Sequence, residues 1–182
     1  MLIDLLFLLL LAWAFLIGYS RGLILQGFYS FGTIVSAIIA FSGYKALAKT
    51  LTIWVPFASA TQDSHLLFFN DSLLFRADEA FYAGLAFLMI YIATYIIFRL
   101  VGLFFNITRL QPLGKNGKII AGALAVFATY FGLQMAVMLF ALIPMTTVQT
   151  HLHASFLARL MVNYTPISSG ILQNFFIHSI IK

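Results

Sequence analysis

Four long apolar runs, separated by short clusters of charge, glycine and proline, set the pattern of this chain. The first extends from Leu2 to about Tyr19, interrupted only by Asp4, and ends in Gly18-Tyr19-Ser20-Arg21-Gly22, a cluster that permits a turn. The second runs from about Leu23 to Leu47 and is bounded by Lys45 and Lys49. The third covers about Ala80 to Phe105, with Arg99 near its far end, and the fourth about Ile119 to Ile143, stopped by Pro144. A helix crossing a hydrocarbon core of about 30 Å needs roughly 20 apolar residues, because its backbone must satisfy its own hydrogen bonds there. The runs meet that length, so the pattern predicts an all-α integral membrane protein with a four-helix transmembrane bundle in residues 1–143.

Beyond Pro144 the pattern changes. Leu152, Phe156, Leu160 and Tyr164 step by four, and Ile171, Leu172, Phe175, Phe176 and Ile180 follow a broken helical spacing. Thr165-Pro166-Ile167-Ser168-Ser169-Gly170 separates the two stretches as a turn. Residues 144–182 are therefore predicted to be an interfacial amphipathic tail that rests on the membrane plane or caps the bundle. A fifth span over 150–182 is the competing reading, but Arg159, Asn163, Pro166 and Gly170 divide it. Residues 50–76 mix Phe and Leu with Asp, Ser, Asn and His, as expected of a loop lying against the outer membrane face.

Composition places the chain in lipid: 63% of residues are hydrophobic and only 8% charged, against about 25% charged in soluble domains. The first run lacks a basic leader and a small-x-small cleavage site, so it reads as a retained span rather than a signal peptide. The absence of cysteine excludes disulfides, thiolate nucleophiles and cysteine zinc sites. The net charge of +5 comes without basic runs interleaved with aromatics, so no nucleic-acid surface is read. Arg109, Lys115 and Lys118 crowd one short linker with no acids, which predicts that this linker is cytoplasmic and both termini lie outside.

Within the spans, small residues form stripes: Gly32, Ser36, Ala40 and Gly43 on the second, and Ala121, Ala125, Thr129, Gly132 and Ala136 on the fourth. Small side chains let helices approach closely in lipid, which points to packing inside the bundle or to a homo-oligomeric seam around a pore. Ionisable groups at membrane depth carry a functional hypothesis by default. Asp4 and Arg21 lie about 25 Å apart along one straight helix and cannot pair. Asp4 is expected to accept hydrogen bonds from a neighbouring helix or to favour its own helix N-terminus, and Arg21 and Arg99 to snorkel to phosphates. A proton relay is the alternative, though relays use several buried acids and Asp4 is alone. His151-x-His153 has metal-compatible spacing without a carboxylate or cysteine to complete a site, and no G-x-S-x-G elbow, P-loop or dinucleotide fingerprint occurs. No cofactor, metal or catalytic activity is expected.

The opening Leu2-Ile3-Asp4, the close Gly18-Tyr19-Ser20-Arg21-Gly22-Leu23-Ile24, the linker Leu113-Gly114-Lys115-Asn116-Gly117-Lys118 leading to Ala121-Gly122-Ala123-Leu124, and the tail Ser155-Phe156-Leu157 before Pro166 carry a resemblance. Together they resemble the colicin V production protein (CvpA) family of bacterial inner-membrane proteins. The resemblance implies a multi-pass protein of the cytoplasmic membrane linked to toxin (bacteriocin) production and export and to envelope homeostasis, with no reaction or ligand attached. It singles out Asp4, Gly18, Arg21, Gly22, Asn116 and Gly122. Two functions are carried forward: a non-enzymatic scaffold or accessory factor, and a small oligomeric channel or transporter. The expected partners are the lipid bilayer, other envelope proteins or further copies of the chain.

Overall fold

A computed structural model describes residues 2–57, 66–69, 76–104 and 114–164. Four long helices account for the apolar runs: α1 (Leu2–Arg21), α2 (Leu23–Trp54), α3 (Ala77–Phe104) and α4 (Gly114–Ala141). All four are long and apolar enough to cross a membrane. They are followed by α5 (Thr146–His153) and α6 (Phe156–Arg159), which runs into a π-helical turn over Leu160–Tyr164.

The helix ends have local causes. Gly22 alone separates α1 from α2, with φ 81° and ψ 168°, a backbone position that a Cβ would strain. α2 continues past Lys45 and Lys49 to Trp54, where Val55 turns extended ahead of Pro56. Clash with the proline ring disfavours helical backbone at the preceding residue. α4 begins at Gly114, before the apolar run itself, and ends at Ala141. The Leu142 and Ile143 amides then bond three residues back, tightening the chain before Pro144.

Consecutive helices run in opposite directions, yet α1 packs along α4 rather than along α2, while α2 lies against α3 and α4. One end of the bundle gathers the end of α1, the start of α2, the end of α3 and the start of α4. The other gathers the remaining helix ends with α5 and α6.

Large apolar side chains face outward on every long helix, beside a core that also holds Phe87, Met135 and Met138. Leu9, Trp13 and Leu16 on α1, Ile38 on α2, Ile97 on α3 and Phe127 on α4 are exposed, whereas Ala40, Ala80, Ala86, Ala121 and Ser36 are buried. Apolar surface on every long helix, with small residues between the helices, is the arrangement expected where lipid is the solvent and packing drives association. The small-residue stripe of α2 faces α3: a Cβ on Gly32 would lie 2.8 Å from Phe98. The α4 stripe divides, with Ala121 and Ala125 packed against α1 and Gly132 facing open space.

The tail corrects one expectation. Leu152, Phe156 and Leu160 do not form a continuous apolar face, because the chain breaks at Ala154 and restarts with Ser155 as the N-cap of α6. Leu152 is buried, whereas Phe156 is 63% exposed. The buried set is Leu152, Ser155, Ala158, Met161 and Val162, so residues 146–162 cap the bundle end. The turn at 165–170 and the stretch at 171–180 lie outside the described residues, as does most of the loop at 50–76.

Candidate functional site

The end capped by the tail is closed by side chains that meet broken backbone. Asp4, in the first turn of α1, accepts two hydrogen bonds on Oδ1: from the Ser155 hydroxyl at 2.8 Å and from the Leu157 amide at 2.9 Å. Ser155 Oγ in turn accepts from the Ala158 amide at 3.2 Å. The first turn of α6 leaves amides without helical partners, and a serine cap together with a carboxylate satisfies two of them. The negative charge also sits favourably at a helix N-terminus. Asp4 thus accepts from the tail rather than from one of the long helices.

Two glutamines complete this end. Gln149 donates through Nε2 to the Ala141 and Ile143 carbonyls at 2.8 and 2.9 Å, where α4 stops, and accepts the Leu67 amide on Oε1 at 3.1 Å. Gln134, fully buried in α4, donates to the Met161 carbonyl at 2.7 Å inside the π-helical turn. Tyr82 of α3 donates to the Val55 carbonyl at 2.6 Å, closing α2. Unpaired polar groups in apolar surroundings cost several kcal/mol, roughly 1–3 by mutational measure, so these contacts fix the tail to the bundle. His151 donates from Nδ1 to the Thr147 carbonyl, and His153 sits edge-on to Phe68, so the two rings are engaged separately.

The opposite end carries Arg21, Arg99, Lys115 and Lys118. Arg21 and Arg99 both turn onto the ring of Tyr29, at 5.3 and 5.0 Å from its centroid, rather than extending away from the bundle. Arg99 also lies 5.9 Å from the Tyr95 ring. Tyr29 reaches this position because Gly102 has no side chain: a Cβ there would stand 2.6 Å from the Tyr29 ring. Arg21, Arg99, Gln26 and Trp13 help line a cavity of about 240 Å³.

The remaining singled-out residues have distinct places. Gly18 and Gly122 meet where α1 crosses α4: a Cβ on Gly18 would lie 2.5 Å from the Ala125 Cβ and 2.6 Å from the Ala121 carbonyl. One on Gly122 would lie 2.6 Å from the Phe15 ring. Gly22 supplies the turn between α1 and α2. Asn116 is exposed in the first turn of α4, at the same end of the bundle as Gly18, Arg21, Gly22 and Gly122, with Asp4 at the other. The singled-out set is therefore split between the two ends and does not form one site. Sequence reading passed over Gln26, Gln134 and Gln149, although a glutamine inside an apolar helix is itself a signal of a buried polar contact. Ser155 opens a helical stretch, which is itself a capping signal.

A sequence model of the colicin V production protein family matches residues 3–166. The chain is 32% identical over 174 residues to an uncharacterized transmembrane protein, YshB, of Bacillus subtilis, covering 94% of this chain and 95% of that one. No solved structure matches. With four helices able to span a membrane and that match over most of its length, the chain belongs to the colicin V production protein family and is a multi-pass bacterial membrane protein.

Proposed function

We propose that this protein is a non-enzymatic scaffold or accessory factor of the bacterial cytoplasmic membrane, supporting toxin (bacteriocin) production and export and envelope homeostasis. The observation that carries this reading is the use of Asp4. Its Oδ1 is held by two donors from the tail, so the carboxylate serves as a fixed acceptor in the fold. A relay group instead has to exchange protons with successive partners. The scaffold sits with both termini outside and the basic linker in the cytoplasm, as the clustering of Lys115 and Lys118 beside Arg21 and Arg99 favours. Its partners are envelope proteins rather than nucleic acid.

A second reading, a small oligomeric channel or transporter, draws on the part of the α4 stripe that packs against nothing. Gly132 and Ala136 border a cavity of about 330 Å³ between α3 and α4. Reconstitution of the purified protein into liposomes separates the two. The scaffold reading predicts no flux of protons, small ions or small solutes above empty liposomes, and a defined envelope partner on crosslinking in native membranes. Protein-dependent flux would overturn it in favour of the channel.

A further inference from the structure

Arg21 and Arg99 bring two positive charges onto one buried tyrosine ring, and no carboxylate among the described residues pairs with either. The acids among the described residues, Asp4 at the start of α1 and Asp78 and Glu79 at the start of α3, lie at the opposite ends of those helices. Cation–π contact stabilises a guanidinium but leaves its charge uncompensated. Gln26 lines the same cavity, is 2% exposed, and has an Oε1 with no hydrogen-bond partner. Amide oxygen and nitrogen are interchangeable by a flip, so this buried group offers the cavity a donor or an acceptor.

The cavity does not end at the arginines. It shares Tyr95, Ala128 and Thr129 with the trough between α3 and α4, whose further walls include Leu88, Ile92 and Gly132. Leu88 stands about 16 Å along α3 from Arg99 at a rise of 1.5 Å per residue. A cationic, polar head therefore adjoins an apolar trough along α3 and α4.

We propose that these joined cavities bind one anionic phospholipid, with its phosphate between Arg21 and Arg99 and an acyl chain in the trough between α3 and α4. Guanidinium groups match phosphate oxygens in geometry and charge, and a net anionic head supplies the counter-charge that the site lacks. A zwitterionic lipid brings its own ammonium and compensates less. Free phosphate would fill the head of the site but leave the trough empty.

Trp13 lines the head cavity, and Trp54 is the only other tryptophan, so a Trp54→Phe background makes Trp13 a reporter. The protein is reconstituted into phosphatidylcholine vesicles containing either phosphatidylglycerol or phosphatidylcholine with brominated chains at equal mole fraction. The expected result is several-fold stronger quenching of Trp13 by the brominated phosphatidylglycerol. Arg21→Gln/Arg99→Gln reduces it to the phosphatidylcholine level. Gly132→Leu serves as the second variant: a Cβ there meets nothing within 4 Å, and the longer side chain, projecting from a wall of the trough, weakens the preference. Equal quenching by the two lipids overturns the proposal. So does a preference that persists in the double arginine variant or in Gly132→Leu, and the latter decides alone if the former does not fold. Loss of the preference in excess inorganic phosphate would assign the head to a free anion and overturn the lipid.

Discussion

Asp4 and Ser155, 151 positions apart, are joined by a 2.8 Å hydrogen bond between the start of α1 and the N-cap of α6. The bond ties the beginning of the bundle to the segment that follows its last long helix. The neighbouring Leu157 amide bonds the same Asp4 oxygen, so one carboxylate orders the first turn of the tail helix.

The α1–α4 crossing depends on the absence of two side chains. Gly18→Ala places a methyl group 2.5 Å from Ala125 and 2.6 Å from a backbone carbonyl, which helix movement alone can relieve. Overpacking of this kind costs about 1–3 kcal/mol. Gly18→Ala is expected to lower the thermal midpoint in detergent clearly, and Gly27→Ala, with nothing within 4 Å, to leave it unchanged or raise it slightly. Equal behaviour of the two variants would speak against the crossing.

Gly22 tests the turn. Its φ of 81° with ψ of 168° is costly for any residue with a Cβ, roughly 1–3 kcal/mol. Gly22→Val should destabilise the protein by at least that amount, and Gly22→Asn comparably, because asparagine's tolerance of positive φ is confined to the left-handed helical region and does not extend to a ψ of 168°. Thermal unfolding of the three proteins side by side checks this.

Gln149 joins three backbone groups, so Gln149→Leu strands the Ala141 and Ile143 carbonyls and the Leu67 amide. At about 1–3 kcal/mol per unsatisfied buried group, the loss exceeds that of a typical surface change. Protease cleavage between α4 and α5 should become markedly faster, while Thr147→Ala, at an exposed position, should leave it close to the parent rate.

Orientation is tested without background because the chain has no cysteine. Leu67→Cys is expected to react with an impermeant maleimide from outside intact cells, and Lys115→Cys only after permeabilisation. Both positions are exposed. The reverse labelling would invert the topology.

Reading along the sequence found the four long helices because each apolar run carries its own length, as with the break at Gly22, although α2 runs past the stop expected at Lys45 and Lys49 to Val55-Pro56. Their pairing was not legible. Linear pattern does not reveal that α1 leaves its sequence neighbour α2 to lie on α4, a choice made by Gly18 fitting Gly122 and Ala125. The tail misled because its step of four matched a helix, while the Ser155 cap that restarts the chain at α6 mattered more than the spacing. Arg21 and Arg99 each looked like a snorkelling arginine. Their convergence on Tyr29 depends on Gly102, a residue of a different helix, and so appears only in three dimensions.

Whether Asp4 holds the tail by geometry or serves a proton path is decided most directly by comparing Asp4→Asn with Asp4→Ala. Asparagine keeps an oxygen that can accept both tail bonds but cannot ionise, whereas alanine removes the acceptor and forfeits about 1–3 kcal/mol. The readout is maleimide labelling of Met161→Cys, a fully buried position of the tail itself. The predicted result is protection in the parent and in Asp4→Asn, with rapid labelling in Asp4→Ala. Equal protection in all three, or equal exposure in both Asp4 variants, would contradict it.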